Sequence, residues 1–389
     1  MGLVKKTFSE LITFTRASGG GRFNAQGQYE WLPADQPRID YDPVTGECLG
    51  LLIEEQRTNL LTYSGQLGNW LKGNGITVTS GAAPAPDGKA TASLLATDGT
   101  NAWAHISQNA SATGTVTFSA FVKKAATDQI ALRVAGTDIG GAGFGDSFYT
   151  YTFSTNAWTR TSGGTASKTS IENVGGGWVR VSVTFSTASA ASVYFYPSRG
   201  SASVASVYVW QPQFEAGAFP TSPIPTTNAQ VTRAADIASV NELSPWFNAE
   251  QGTLVVEAST RYQLTQFADA AVLDDGGASN RVRLGINVNN NVPNTLVTGS
   301  YSDNVQVAVA FNIPYTPGLQ KLAASYAKDN FASAANGALY AVASIGNVPA
   351  GLSVLRIGKH TSFGYLNGHI RVIRFHPRAM PDQLQALTA

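Results

Sequence analysis

Charged residues are scarce in this chain. Asp, Glu, Lys and Arg make up only 13% of its 389 residues, about half of the ~25% that is typical of soluble domains. The net charge is +1, so there is no electrostatic reason to expect nucleic acid or an anionic membrane as a partner. Surface polarity must come mainly from Ser, Thr, Asn, Gln and Gly, a composition that suits neutral polar ligands and contacts between subunits.

Cysteines and long apolar runs are also lacking. Cys48 is the one cysteine, so an intramolecular disulfide is excluded and we expect a small buried residue at this position. No run approaches the roughly 18 apolar residues of a membrane-spanning helix, and we expect no membrane insertion. No apolar run follows Lys5 and Lys6 near the N-terminus. We therefore expect synthesis without a secretory signal peptide.

Alternating apolar residues are abundant instead. In residues 178–185 an apolar side chain recurs at every second position, and residues 305–311 show the same period, which predicts strands. Many more short β-rich runs are separated by Gly, Asn and Ser turns, and the clearest helical signal is at residues 381–387. The predicted fold class is all-β, with two consecutive jelly-roll or lectin-like β-sandwiches after an irregular N-terminal segment.

The distribution of these patterns divides the chain into three parts. Residues 1–60 have little periodicity and many turn formers, so we expect an attachment segment that lies along another module or a partner. Residues 61–227 are predicted to form the first sandwich. This part ends in the proline-rich stretch 219–227, which is typical of an extended linker or crossover. Residues 228–389 are predicted to form the second sandwich.

Several of the few charged residues cluster near the end of the N-terminal segment. They are Arg38, Asp40, Asp42, Glu54 and Arg57. Arginine and carboxylate side chains pair in bidentate fashion, and charges used so sparingly are usually paired. We expect these residues to fix the N-terminal segment to a sandwich, with a contact between subunits as the alternative.

Signatures of catalysis are weak in this sequence. A glycosidase needs two carboxyl groups about 5–10 Å apart, which alternate positions of one strand could supply, and no such pattern occurs. Glu54 and Glu55 are adjacent and would point to opposite faces of a strand, while residues 274–277 (Asp-Asp-Gly-Gly) indicate a hairpin turn. The four histidines show no metal-ligand spacing. We therefore predict that the protein is not an enzyme and has no metal or cofactor.

Sugar binding needs fewer specialised groups than catalysis does. An aromatic ring packs against the C–H face of a sugar while nearby polar groups bind its hydroxyls. The candidate ligand-binding residues lie together in the first sandwich: Trp103, Trp158, Tyr149 and Asp146. Packing in the core is the alternative for the two tryptophans. Three other tryptophans are expected in the core: Trp70, Trp178 and Trp210.

Several strings resemble bacteriophage tail proteins. Residues 37–46, PRIDYDPVTG, lead into residues 50–61, GLLIEEQRTNLL, and this junction resembles the one that precedes a carbohydrate-binding-module-like sandwich in many phage tail proteins. Residues 118–123 and 209–217 follow in the order that the family shows. The C-terminal module, which includes residues 364–371, resembles concanavalin A/laminin G-like sandwiches.

The resemblance implies a virion protein of the tail-fibre or receptor-binding type. Its expected partners are other tail subunits, two further copies in a homotrimer, and a host surface polysaccharide. Its expected location is the phage tail, after synthesis in the host cytoplasm. The function that follows is host adsorption by glycan recognition without catalysis. A purely structural tail or baseplate subunit and a polysaccharide-degrading tail enzyme are the alternatives.

Overall fold

The fold is all-β, as the period-two patterns predicted. A computed structural model describes residues 7–141, 143–262, 267–289, 292–315, 318–360 and 364–389. Most of these residues lie in strands joined by short turns, and they form two β-sandwiches, each with its own large hydrophobic core. Within the described ranges no helix is long and apolar enough to cross a bilayer.

The described part of the N-terminal segment contains a turn of helix and short strands. They are α1 (Phe8–Leu11), β1 (Thr13–Thr15), β2 (Gly20–Phe23), β3 (Tyr29–Leu32), β4 (Ile39–Tyr41), β5 (Cys48–Ile53) and β6 (Arg57–Asn59). Strands β2 and β3 form a hairpin, and β4 pairs with β5. In contrast, β1, β5 and β6 each pair with a strand that follows residue 230. The segment is therefore built into the rest of the molecule.

The first sandwich follows a 3-10 turn at Leu67–Asn69. Its strands are β7 (Leu71–Lys72), β8 (Ile76–Ala83), β9 (Ala92–Asp98), β10 (Ile106–Lys124), β11 (Gln129–Thr137), β12 (Asp146–Thr152), β13 (Ala157–Gly163), β14 (Lys168–Asn173), β15 (Trp178–Tyr196) and β16 (Val204–Ala216). Because β10 and β15 have 19 residues each, they run through both layers. The front layer has the order β13-β12-β11-β15-β10-β7, and the back layer has the order β14-β15-β10-β16-β9-β8.

The core of this sandwich lies between the two layers. Ile106 from the front part of β10 and Phe118 from its back part belong to the same buried cluster, together with Phe195 and Val183 of β15. The β10–β15 ladder shifts register after Asn109. Long strands that serve both layers let one run of alternating apolar residues supply both walls of the core.

The second sandwich begins after the proline-rich stretch. Its elements are β17 (Val231–Arg233), β18 (Ile237–Val240), β19 (Gln251–Thr260), β20 (Ala268–Asp274), β21 (Arg281–Asn289), β22 (Val292–Ser302), β23 (Val305–Pro314), β24 (Gln320–Ala327), β25 (Phe331–Ala335), β26 (Ala338–Ala343), β27 (Val354–Ile357), β28 (Gly368–His376), a 3-10 turn (Pro381–Gln383) and α2 (Leu384–Thr388). One sheet has the order β1-β18-β27-β20-β21-β22-β23, and the facing sheet has the order β26-β25-β24-β19-β28-β5-β4.

The N-terminal segment thus contributes to both sheets of the second sandwich. Strand β1 adds to the edge of one sheet beside β18, and β5 lies between β4 and β28 in the other. Leu51 and Ile53 of β5 are buried in the core of the second sandwich. Cys48 was expected to be buried but is exposed, because the ladder with β28 starts only at Leu51.

Several local predictions are confirmed by these elements. In residues 178–185, Val181, Val183 and Phe185 face the core of the first sandwich. Residues 274–277 begin the turn between β20 and β21, as the double glycine indicated, and the helical signal at the C-terminus corresponds to the 3-10 turn and α2.

Strand β23 departs from its predicted pattern. Residues 305–311 form a strand, but Val305 and Phe311 at its two ends are 63% and 38% exposed. The pairing of β23 with β22 is irregular, and Ala308 has a φ of 48°. This bulge moves Val307 and Ala310 towards the core, so a simple alternation could not predict which side chains are buried.

The proline-rich stretch 219–227 has no regular secondary structure, as expected of a crossover, but most of it is buried. The Glu215 carboxylate accepts hydrogen bonds from the backbone N–H and the hydroxyl of Thr221, both at 2.8 Å. The backbone N–H of Ser222 donates to Oε1 of Glu54 at 2.8 Å. The crossover is therefore hydrogen bonded to both its neighbours in sequence and the N-terminal segment.

Candidate functional site

The predicted site residues are divided between two faces of the front layer. Along β12, Tyr149 and Tyr151 point into the core and are 7% and 1% exposed. Trp158 packs edge-on against both rings, with centroid distances of 6.2 and 5.7 Å, and its Nε1–H donates to the carbonyl oxygen of Ser170 at 3.1 Å. Tyr149 and Trp158 therefore lie on the inner side of the layer, where Tyr149 is buried and Trp158 is partly buried.

Trp103 and Asp146 lie on the outer face of the same layer. Trp103 sits in the loop between β9 and β10 and is 48% exposed. Its ring contacts Phe148 and Tyr196 edge-on, with both centroids 6.2 Å away. Asp146 begins β12, two positions from Phe148, so its side chain points to the same side.

We call this outer surface the aromatic face, and it also includes side chains that sequence reasoning did not select. Its members come from the β9–β10 loop, β11, β12, β15 and the β15–β16 loop: Trp103, His105, Arg133, Asp146, Phe148, Tyr194, Tyr196 and Arg199. The strand register explains why they meet, since Arg133 of β11 lies opposite both Phe148 of β12 and Tyr194 of β15.

Arg133 lies at the centre of the aromatic face. Its guanidinium carbon is 4.6 Å from the ring centroid of Tyr194 and 5.2 Å from that of Phe148. Its Nε and Nη2 are 3.1 and 3.0 Å from Oδ2 of Asp146. Burial alone would lower the pKa of Arg133, but Tyr196 and the Asp146 carboxylate outweigh it and raise that pKa. The positive charge of Arg133 is thus balanced by a neighbouring carboxylate.

Arg199 lies at the rim of the aromatic face, in the β15–β16 loop. Its guanidinium carbon is 4.3 Å from the ring centroid of Phe148 and 5.3 Å from that of Trp103. Its Nη2–H donates to the hydroxyl of Ser162 at 3.0 Å, and its buried Nε has no hydrogen-bond partner. Among the residues that the structure describes, Arg199 forms no ion pair, whereas the nearby Asp146 carboxylate pairs with Arg133.

Backbone hydrogen bonds fix the loop that carries Trp103. The side-chain oxygen of Asn101 accepts the N–H of Trp103 at 2.9 Å, an Asx turn that sets the direction of the indole. The N–H of Gly200 donates to the carbonyl of Ala102 at 2.8 Å, which ties the loop of Arg199 to the loop of Trp103. Nδ1 of His105 lies 2.8 Å from the carbonyl oxygen of Trp103. These hydrogen bonds fix the positions of the two loops relative to each other.

The chemistry available on the aromatic face is that of recognition. Its rings offer apolar surface, and its hydroxyls, guanidinium groups and carboxylate offer hydrogen bonds. Asp146 is the one carboxylate in the set, whereas glycoside hydrolysis by the usual mechanism needs two. In the described part of the chain, no group of three or more His, Cys, Asp and Glu side chains is placed to hold a metal ion.

A second cluster of interest lies where the N-terminal segment meets the crossover and the start of the second sandwich. We call it the buried charge cluster, and it consists of Arg16, Arg38, Glu54, Arg233 and Asp236, each at most 2% exposed. Nη1 of Arg38 is 2.7 Å from Oε2 of Glu54, and Nη2 of Arg38 forms a short ion pair with Asp236. Arg16 also pairs with Asp236 at 3.1 Å.

The predicted pairing of the N-terminal charges is largely confirmed. Arg38 and Glu54 belong to the buried charge cluster, and Arg57 pairs with Glu55 at 2.5 Å. Asp40 accepts a hydrogen bond from Nε2 of His369 in β28 at 2.8 Å. Asp42 does not follow the prediction, since its carboxylate accepts backbone N–H groups of the turn at residues 44–45. A short turn satisfies this carboxylate locally.

Two cavities lie outside the aromatic face. One, of about 440 Å³, lies in the second sandwich, and Phe8, Trp246 and Phe375 contribute to its apolar lining. Of the lining residues within the described ranges, only Arg371 carries charge. The other, of about 230 Å³, lies at the junction and is lined by charged groups that already pair with one another, such as Asp40 with His369. The apolar cavity has few polar groups for sugar hydroxyls, and at least part of the charge in the other is already neutralised.

Comparisons with known proteins give likenesses of architecture. No family model matches the sequence, and no curated protein matches it. Similar solved structures include domain 4 of AbnA, a GH43 extracellular arabinanase from Geobacillus stearothermophilus, in complex with arabinotriose (TM-score 0.31, 11% identity, 45% of this chain and 84% of that chain).

Two further likenesses span more of this chain. One is to domains LG4-5 of the mouse laminin alpha1 chain (TM-score 0.21, 11% identity, 72% of this chain and 90% of that one). The other is to the N-terminal CBM22-1-CBM22-2 tandem domain of Paenibacillus barcinonensis Xyn10C (TM-score 0.24, 14% identity, 83% of this chain and 98% of that one). All three TM-scores are below 0.5, so none of them identifies a ligand for this chain, which is an all-β protein of β-sandwich modules.

Proposed function

We propose that this chain recognises glycans through the aromatic face of its first sandwich, without catalysis, as a protein of a bacteriophage tail. The observation that carries the recognition proposal is Trp103. Trp103 is 48% exposed, although tryptophan side chains are highly buried on average. Phe148 and Tyr196 brace it from the side, and such a rigid ring offers a ready surface for the C–H groups of a sugar.

Polar groups around Trp103 supply the second requirement. Arg133 and Asp146 are paired, partly exposed and close to the same rings, so a sugar hydroxyl can donate to the carboxylate or accept from the guanidinium. An apolar ring with a few convergent polar groups is the usual composition of a saccharide site. The single carboxylate of the aromatic face supports binding over turnover.

Placement on a phage tail is supported by the resemblance of residues 37–61 to tail-protein junctions. We expect the protein in the virion, in contact with other tail subunits and assembled as a homotrimer. Electron microscopy of virions labelled with antibody against this chain tests the location, and label absent from the tail contradicts it. Mass measurement of the purified protein in solution tests the trimer, and a monomer at high concentration contradicts that.

The glycan proposal is tested by binding of purified protein to a glycan array, followed by titration of the best ligand. Trp103→Ala should weaken binding about tenfold, because the packing of one ring against sugar is lost. Trp31→Ala is the matched control, since Trp31 is a 38% exposed tryptophan on β3. Equal binding by wild type and Trp103→Ala, or no binding to any glycan, contradicts the proposal.

A further inference from the structure

Positive charge is in excess on the aromatic face. Two guanidinium groups, of Arg133 and Arg199, face one carboxylate, of Asp146. Arg133 pairs with that carboxylate. Within the described ranges, no carboxylate forms an ion pair with Arg199. Arg199 is partly buried, and its guanidinium lies against the rings of Phe148 and Trp103, so it is the cation on this face with which a ligand carboxylate can still pair.

The position of Arg199 fits this assignment. Its guanidinium stacks near Phe148 and Trp103, at 4.3 and 5.3 Å from the ring centroids, which orients the planar group beside the exposed indole. A guanidinium has five N–H donors, and Ser162 accepts from Nη2. A ring that packs on Trp103 would therefore place its substituents next to a pre-oriented cation.

We infer that the aromatic face takes an acidic saccharide, one whose carboxylate pairs with Arg199 while its ring packs on Trp103. This inference rests on the proposed glycan recognition and names the class of sugar. Guanidinium and carboxylate groups match in geometry and form charge-assisted hydrogen bonds. Partial removal of water by the surrounding rings strengthens the attraction relative to an exposed ion pair.

The rest of the chain supports Arg199 as the source of selectivity. The net charge of the whole chain is only +1, so general electrostatic attraction to polyanions is weak. A preference for acidic sugars must therefore come from local groups. His105 also borders the face, with its ring 5.1 Å from that of Tyr196. Its Nδ1 contacts the carbonyl oxygen of Trp103, so this side chain stabilises the loop that carries Trp103.

The test uses paired probes on an array: oligosaccharides that carry a uronic acid, and the same oligosaccharides with the carboxyl group reduced to an alcohol. Wild type should bind the acidic member of a pair at least about tenfold more tightly, the range expected for one charge-assisted hydrogen bond. Arg199→Gln should remove this preference and leave binding of the neutral member within about twofold. Arg199→Lys should keep part of it, since the charge remains and the planar fork is lost.

Arg374→Gln is the matched control, because it removes one positive charge from an exposed position of the second sandwich. It should leave the acidic preference unchanged. If wild type binds both members of each pair equally, or if Arg199→Gln weakens both equally, the inference is wrong and the glycan proposal stands. If wild type binds no member of any pair and no other glycan, the proposed function itself fails.

Discussion

Nη2 of Arg261, in the second sandwich, lies 3.2 Å from Oε2 of Glu172 in the first. The hydroxyl of Tyr262 donates to the other oxygen of the same carboxylate, and Tyr262 stacks on Phe219 of the crossover with centroids 5.1 Å apart. Burial alone would raise the pKa of Glu172, but Arg261, Arg180 and the Tyr262 hydroxyl together lower it. This one carboxylate is thus a specific polar link between the sandwiches.

Glu172→Ala should loosen this link and leave each sandwich folded. The loss of charge-assisted hydrogen bonds to a partly buried carboxylate should cost about 1.5–3 kcal/mol. In differential scanning calorimetry we expect a lower midpoint and a broader or split transition, since the two cores unfold less cooperatively. Glu257→Ala, which removes an ion pair with the half-exposed Arg374, should change the profile little. An unaltered profile for Glu172→Ala would contradict the assigned role.

Arg38→Ala should strongly destabilise the protein. Arg38 pairs with both Glu54 and Asp236 in the buried charge cluster, so its removal leaves two buried carboxylates with less compensation. Breaking a buried pair in this way costs about 3–5 kcal/mol, which urea unfolding can measure. The control is Arg371→Ala, where the partner Glu47 is exposed and the cost should stay below about 1 kcal/mol. Similar losses for both variants would be inconsistent with a structural role of the cluster.

Acid should destabilise the protein in a defined order. Burial lowers the pKa of His360 below its ordinary 6.5, so the unfolded chain takes up this proton first and stability begins to fall below pH 6.5. Burial alone would raise the pKa of Glu54, but Arg233 and Arg38 hold it well below its ordinary 4.5. The folded-state pKa of Glu54 is therefore depressed, and its contribution is present above pH 4.5 and lost as the pH falls below that value. Urea unfolding between pH 7 and pH 3 measures both losses.

Asp40→Asn isolates one part of that acid sensitivity. Burial alone would raise the pKa of Asp40, yet the hydrogen bond and charge of His369, together with Arg261 and the backbone N–H of Phe23, lower that pKa below the ordinary 3.8. The contribution of Asp40 is therefore lost only below pH 3.8. The variant should show a shallower fall in the free energy of unfolding in that window and the wild-type slope above it. A curve parallel to wild type below pH 3.8 would rule out this contribution.

Tyr149→Phe should separate packing from ligand binding. The Tyr149 hydroxyl accepts the backbone N–H of Ala166 at 2.8 Å on the inner side of the front layer. Its removal should cost about 1 kcal/mol of stability and leave glycan affinity unchanged, because the aromatic face is on the opposite side. Chemical unfolding and glycan titration on the same sample measure the two effects. Loss of affinity at full stability would place Tyr149 in the binding site.

Gly50→Ala should be far more damaging than Gly114→Ala. Both glycines have positive φ, 104° and 78°, so both substitutions carry backbone strain. A Cβ at position 50 would lie 2.2 Å from the carbonyl oxygen of Ile370, whereas a Cβ at position 114 meets nothing within 4 Å. We expect roughly 1 kcal/mol of destabilisation for Gly114→Ala and several times that for Gly50→Ala. Equal melting temperatures would argue against the close approach of β5 to β28.

Alternation was enough to predict the all-β fold, because apolar runs with a period of two fit a strand and few other structures. It also predicted that residues 178–185 would face a core. It could not show that β5 pairs with β28, since nothing local in Leu51 or Ile53 specifies a partner so far away in sequence. The bulge in β23 could not be predicted either, because one extra residue inverts the burial that simple alternation predicts.

The aromatic face could be predicted only in part. Trp103 and Asp146 were selected because an isolated aromatic ring and a nearby carboxylate are the visible signals of a saccharide site. Tyr194 and Tyr196 carried a usable signal, since they alternate with the apolar Val193 and Phe195 and so must face outward. The sequence gives no such signal for Arg199, because its place over Phe148 depends on the turn after β15.

Strand β5 and strand β28 are far apart in the sequence, and His369 of β28 meets Asp40 across a separation of 329 residues. During synthesis the ribosome delivers the first sandwich long before β28 exists. The apolar side chains of β5 therefore lack their β28 partner until residues 368–370 have been synthesised. Truncation between the proline-rich stretch 219–227 and residue 368 should therefore yield chains that aggregate, although all strands of their first sandwich are present.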